Sequence, residues 1–159
     1  MVTPDPATPL LPERVTSHDA VLLYDGLCGF CDGTVRWLLR RSSANTRAGQ
    51  IYFLPQQSEL AQAILKKHGL PTQDSHRAYL LVHPGTPRER ILQGSAAILR
   101  ATAMLRGVWL LLATLAGVLP RSLRDAVYAA IARNRYKIAG KRTECRIPAP
   151  EERPRFLGF

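Results

Sequence analysis

A five-residue apolar run, Ala20-Val21-Leu22-Leu23-Tyr24, stops at Asp25-Gly26. It gives way, across Cys28-x-x-Cys31, to a stretch with helical spacing. No other part of the chain narrows the possible folds as much. The run is closed by a turn signal and predicts a buried strand. Beyond it, apolar residues fall at Cys31, Val35, Leu38 and Leu39, one face of a helix, with Arg36, Arg40 and Arg41 off that face. The two cysteines therefore sit at a strand-to-helix turn, Cys28 near the helix start and Cys31 one turn further in.

That placement has chemical content. A thiol attacks a disulfide as its thiolate. The first turn of a helix offers free backbone N–H groups and the positive end of the peptide dipoles. Cys28 is thus the expected nucleophile, and Cys31, facing the core and protonated longer, resolves the mixed disulfide. A structural disulfide across so short a loop removes little chain entropy. Half of a zinc site is the other alternative, with Cys145 and one of His68, His76 or His83 completing it. No second C-x-x-C or paired histidine motif accompanies it.

The rest of the chain supplies alternating elements. Gln50–Leu54 reads as a second strand ended by Pro55. Ser58 caps a helix with Leu60, Ile64 and Leu65 on its inner stripe, ended by Gly69. Ala78–His83 and Glu89–Leu92, joined through Pro84-Gly85-Thr86-Pro87, read as a hairpin. A helix opening at Gly94-Ser95 would turn Ala96, Leu99, Ala103 and Met104 to one side. The order β-α-β-α-β-β-α predicts an α/β fold, a mixed sheet with helices on its faces, of thioredoxin-like type. The cysteine pair falls at the carboxyl end of the first core strand, where such sheets carry their sites.

Gly107–Leu119 is different: thirteen residues without a charge. It is too short to span a bilayer, which needs roughly 20 residues. The expected place is between core and tail, with a membrane-protein or membrane-surface contact as the alternative, favoured by Arg106, Arg121 and Arg124 at its flanks. Pro120 breaks the chain before a last helix with Leu123, Val127, Ala130 and Ile131 inward. The expected organisation is a flexible arm over 1–17, a core over 18–106, a helical extension packed on it over 107–140 and an extended tail over 141–159.

Composition narrows the function. The chain has 159 residues, 46% of them hydrophobic and 21% charged, which suits one domain with a real core. The opening residues carry four prolines and no basic-then-apolar pattern, so they read as neither a signal nor a transit peptide. With three cysteines, two in one C-x-x-C, the expected compartment is the cytoplasm. The net charge is +10, but the arginines are scattered without interleaved aromatics, so no nucleic-acid partner is expected.

Four segments together carry a resemblance. Asp25-Gly26-Leu27-Cys28-Gly29-Phe30-Cys31 resembles the D-G-x-C-x-x-C motif of the DCC family of thiol-disulfide oxidoreductase-like proteins. Pro55-Gln56-Gln57-Ser58, Ala132-Arg133-Asn134-Arg135-Tyr136 and Cys145-Arg146-Ile147-Pro148 resemble that family's P-x-Q-S, A-R-N-R-Y and C-R-x-P segments, in the right order. The resemblance implies a thioredoxin-like fold, a disulfide reductase activity without a bound cofactor, and Asp25, Cys28 and Cys31 as the functional set. The partners it implies are a protein or small-molecule disulfide and a cellular thiol reductant. The chain departs from thioredoxins proper at Asp74-Ser75-His76-Arg77, where those proteins carry a cis-proline.

Asp25 has two readings, a turn cap or a proton acceptor for Cys31 that works best with a raised pKa. Asp32 reads as helix-favouring charge, Cys145 as a lone buried thiol, and Gln57 as a neighbour of the cysteines. Arg133, Arg135 and Lys137 read as anion-binding or as ordinary helix-end charges. The alternative function is a non-enzymatic accessory or zinc-binding module docking to a membrane-protein partner.

Overall fold

Strand β1 (Ala20–Tyr24) occupies an inner position of a four-stranded sheet ordered β2 (Ile51–Pro55), β1, β3 (Tyr79–Val82), β4 (Arg90–Gln93). The computed structural model describes residues 10–42, 49–72 and 77–158. Helix α1 (Gly29–Arg41) carries the chain from β1 to β2 (Ile51–Pro55), which lies parallel to it. Helix α2 (Glu59–Lys67) precedes β3 (Tyr79–Val82), antiparallel to β1, and β4 (Arg90–Gln93) pairs antiparallel with β3. Helix α3 (Ser95–Ala103) closes the unit. The element order and sheet order are those of a thioredoxin-like α/β fold, as expected. The Asp74–His76 departure lies outside the described residues.

Strands β1, β2 and β3 are buried on both faces, so the two-residue alternation of side chains divides them between two cores, while the edge strand β4 is partly exposed. Ala20, Leu22 and Tyr24 face a cluster with Val35, Leu38 and Ala97. Val21 and Leu23 face a second cluster with Ala61, Ile64 and Leu65. Each fully buried leucine contributes about 1.5–3 kcal/mol of transfer free energy. Ser58 caps α2 by accepting the Ala61 N–H, as expected. Met104, the residue after α3, is buried as expected, but within the helix Ala97 and Ala101 are buried while Ala96, Leu99 and Ala103 are only half-buried, because an alanine-rich helix offers several equivalent apolar faces.

Helix α4 (Gly107–Val118) and helix α5 (Arg121–Ala139) follow. Here a correction is needed. The uncharged stretch is not buried between core and tail: Ala113 is the buried residue of α4, while Leu111 is 57% and Val118 83% exposed. The helix is held by Trp109, whose ring meets Trp37 of α1 edge-on at 4.8 Å, with the Arg41 guanidinium over both. Leu123, Val127 and Ile131 of α5, expected inward, are also exposed. With so many apolar positions, composition could not tell which side would meet the core.

The segment after α5 does more than trail. Phe156 joins the first cluster and stacks at 5.4 Å on Phe53, and Leu157 joins the second. The Leu157 N–H donates to the Phe53 carbonyl at 2.9 Å, so the segment continues the sheet beyond β2. The described part of the amino-terminal arm is also engaged: Leu10, Leu11 and Val15 pack on the second cluster, and Arg14 donates to the Phe156 carbonyl at 3.2 Å.

Candidate active site

The cysteine turn is built where β1 ends. Cys28 has extended backbone angles and caps α1: its Sγ accepts the Cys31 N–H at 3.1 Å, which satisfies one of the free donors of the first helical turn. Both cysteines are free thiols, and so is Cys145.

Their exposure is the reverse of what their order in the chain suggests. Cys28 is fully buried, whereas Cys31 is half-buried and opens onto a cavity. The cover over Cys28 comes from the end of α5 and the residues after it. Gly29 N–H donates to the Gly140 carbonyl at 3.2 Å, Arg142 N–H donates to the Leu27 carbonyl at 2.7 Å, and Lys141 pairs with Cys28 in an antiparallel bridge. Two glycines make this approach feasible. A Cβ on Gly29 would stand 2.2 Å from the Ala139 carbonyl oxygen, and one on Gly26 would stand 2.4 Å from Cys145 Sγ. The Cys31 thiol is pushed up by burial first, then by its hydrogen bond to Cys28 and the Cys28 charge; Asp25 adds to the rise and Arg135 opposes it.

Asp25 is 9% exposed and sits in a dense set of donors. Its Oδ1 accepts the Leu27 N–H at 3.0 Å and the Gln57 amide at 2.9 Å. Its Oδ2 accepts the Tyr136 hydroxyl and pairs with Arg135 Nη2 at 2.9 Å. Arg135 also donates to the Tyr136 hydroxyl at 2.9 Å. Burial pushes the carboxyl up, but Tyr136, Leu27, Arg135 and Gln57 together outweigh it and hold it below the usual carboxylate range. The donors that position Asp25 favour its charged form, the opposite of the raised pKa with which proton transfer from Cys31 would work best.

Gln57 does lie at the turn, its Oε1 accepting the Gly26 N–H at 3.0 Å and meeting Cys145 Sγ at 3.8 Å. Cys145 is half-buried, and burial with the Asp25 charge raises its pKa. Asp32 is in the first turn of α1, as its reading as helix-favouring charge requires, but it is only 1% exposed. Its Oδ1 accepts Arg146 Nε at 2.8 Å, and its Oδ2 faces Arg142 Nη1 at 3.3 Å and Arg36 Nε at 3.6 Å. These contacts tie residues 142–146 to the first turn of α1. Among the described residues, no group of three or more His, Cys, Asp or Glu gathers as a metal site, and His76 lies outside them.

Sequence reasoning missed Arg135 as Asp25's partner. A signal was present: Tyr128, Ala132 and Arg135 recur at helical spacing, and all three line the cavity beside Cys31.

The sequence pattern of the DCC1-like thiol-disulfide oxidoreductase family matches residues 22–141. The chain is 39% identical over 137 residues to the uncharacterised protein YuxK of Bacillus subtilis, covering 86% of this chain and 93% of that one. It is 26% identical over 127 residues to a chloroplastic DCC family protein of Arabidopsis thaliana, covering 80% of this chain and 69% of that one. No solved structure matches.

Proposed function

The chain belongs to the DCC1-like thiol-disulfide oxidoreductase family, and on that premise we propose that it exchanges electrons with a disulfide partner through Cys28 and Cys31. The observation that carries this reading is the helix cap: Cys28 Sγ takes the Cys31 N–H at 3.1 Å while Cys31 opens to a cavity. One sulfur of such a pair forms the mixed disulfide and the other closes the ring. Two electrons and two protons leave the pair, and the substrate, a protein or small-molecule disulfide, departs as two thiols. A cellular thiol reductant reverses the process, with no bound cofactor. Asp25 acts as a charged tuning group: it holds Arg135 and Tyr136 at the turn and raises the Cys31 thiol. A thiol-rich compartment such as the cytoplasm suits this chemistry. The test is insulin-type disulfide reduction by the wild type, Cys28→Ser and Cys31→Ser, with the reduction potential of the pair. Both variants are expected to lose turnover; turnover that survives both refutes the proposal.

The exposed side chains of α4 support a second reading, a non-enzymatic accessory module that docks on a membrane protein. No helix among the described residues is long and apolar enough to cross a membrane itself. One equivalent of zinc per purified chain, released by a thiol reagent, with no disulfide reduction by the wild type, is the result that favours it.

A further inference from the structure

The cavity beside Cys31 has a volume of about 200 Å³ and lies between β1, α1, α3 and α5. Leu22, Val35, Ile98, Ile131 and Ala132 contribute its apolar wall, and Phe30 and Ile131 are themselves exposed. Its charged members are Asp25 and Arg135, which face each other as an ion pair and so do not call for a charged ligand, and the exposed Arg77, whose Nη1 reaches Gln93 Oε1 at 3.5 Å. Tyr128 is fixed at the wall by the Ala78 N–H, which donates to its hydroxyl at 2.7 Å. An engineered apolar cavity of about 150 Å³ holds benzene in preference to water. This one therefore has room for an aromatic ring or a branched aliphatic group, and Cys31 is the sulfur that group would meet.

We propose that substrate enters through this cavity, that the mixed disulfide forms on Cys31 with Cys28 as the resolving sulfur, and that disulfides bearing an uncharged apolar group are selected. The inference rests on the exchange reading above and deepens it. It reverses the order expected from chain position, because Cys28 is covered by Gly140–Arg142 while Cys31 is open.

The steps balance. The Cys31 thiol passes its proton to water as its sulfur bonds to one sulfur of the substrate disulfide; because burial, Cys28 and Asp25 disfavour its thiolate, this attack quickens as pH rises. The substrate S–S bond breaks, and the departing thiolate takes up a proton. Cys28 sulfur, which already contacts the Cys31 N–H, then attacks Cys31 sulfur. The Cys28–Cys31 bond forms and the second substrate sulfur leaves as a thiol with the proton from Cys28. In the reverse direction an incoming thiolate attacks Cys31, and the departing Cys28 sulfur is received by the Cys31 N–H at the start of α1.

The experiment uses the full chain with Cys145→Ser, to silence the third thiol. Cys28→Ser and Cys31→Ser are each treated with 4,4′-dithiodipyridine, an uncharged aromatic disulfide, and with the small polar 2-hydroxyethyl disulfide. The label is located by peptide mass. The expected result is label on Cys31 in Cys28→Ser, at least about ten-fold faster than on Cys28 in Cys31→Ser, a difference of about 1.4 kcal/mol in barrier. Ala132→Leu, which fills the cavity, lowers the ratio of aromatic to polar rates about ten-fold. Independently of folding in that variant, saturating toluene slows aromatic labelling of Cys31. Faster labelling of Cys28, or an aromatic preference that toluene does not reduce, overturns the proposal while leaving the exchange reading intact. Failure of the wild type to reduce any disulfide overturns both.

Discussion

Replacing Arg135 with Met isolates the central ion pair of the turn. Arg135 is 5% exposed, and its Nη2 stands 2.9 Å from Asp25 Oδ2. Removing one partner of a buried pair leaves an uncompensated charge and costs about 3–5 kcal/mol. Asp25 would keep the Leu27 N–H, the Gln57 amide and the Tyr136 hydroxyl, so the lower end applies, about 3 kcal/mol. For a chain of this size that is a fall of about 6–12 °C in melting temperature. The sign with pH follows from Asp25. Its folded pKa is depressed, so its contribution is fully present above the unfolded value of about 3.9 and is lost as pH falls through the lower folded value. In Arg135→Met the carboxyl loses one of the groups that counter its burial and its pKa rises. The gap between wild type and variant is therefore widest at neutral pH and closes under acid. Urea unfolding of the reduced proteins at about pH 7 and about pH 3 measures both. A neutral-pH loss below about 1 kcal/mol, the worth of an exposed pair, or a gap that does not narrow in acid refutes the reasoning.

Three further outcomes are expected. In a Cys28→Ser background, Asp25→Asn moves the Cys31 titration down and Arg135→Met moves it up, since the two charges act on that thiol with opposite sign; iodoacetamide rates against pH read this, and shifts of the same sign contradict it. Gly29→Ala destabilises by about 1–3 kcal/mol despite alanine's better helix propensity, because the new methyl meets the Ala139 carbonyl; a stabilised variant in urea would show that the end of α5 does not sit against α1. Leu111→Ser on α4 changes stability by less than about 0.5 kcal/mol, whereas Leu38→Ala, fully buried on α1, costs about 2–5 kcal/mol; thermal unfolding separates the two, and a large loss for Leu111 would mean that α4 is covered.

The parts of the molecule legible in the sequence were those written in local spacing. The β1 run, the cap at Ser58 and the hairpin before α3 each depend on neighbours a few residues apart, and each occurs where expected. The Asp25–Arg135 pair spans 110 residues, and no local pattern relates them. Asp32 looked like ordinary first-turn charge because the arginines that bury it, Arg142 and Arg146, arrive from a segment that reads as tail. Helix α4 shows the converse: apolar composition announces a preference for burial but not which neighbours are available to provide it. The exposure of the two cysteines was equally out of reach, since Cys28 is covered by residues 140–142 and not by its own helix.

The lid on Cys28 and the counter-charge of Asp25 are both delivered by residues that follow every strand of the sheet. On a ribosome adding about 5–20 residues per second, the turn emerges roughly 5–20 s before Arg135 does. During that interval the thiols lack the partners that later set their reactivity. A nascent chain is thus a different redox species from the finished one, and oxidants or thiol-modifying reagents present during synthesis meet it in that earlier, unguarded form.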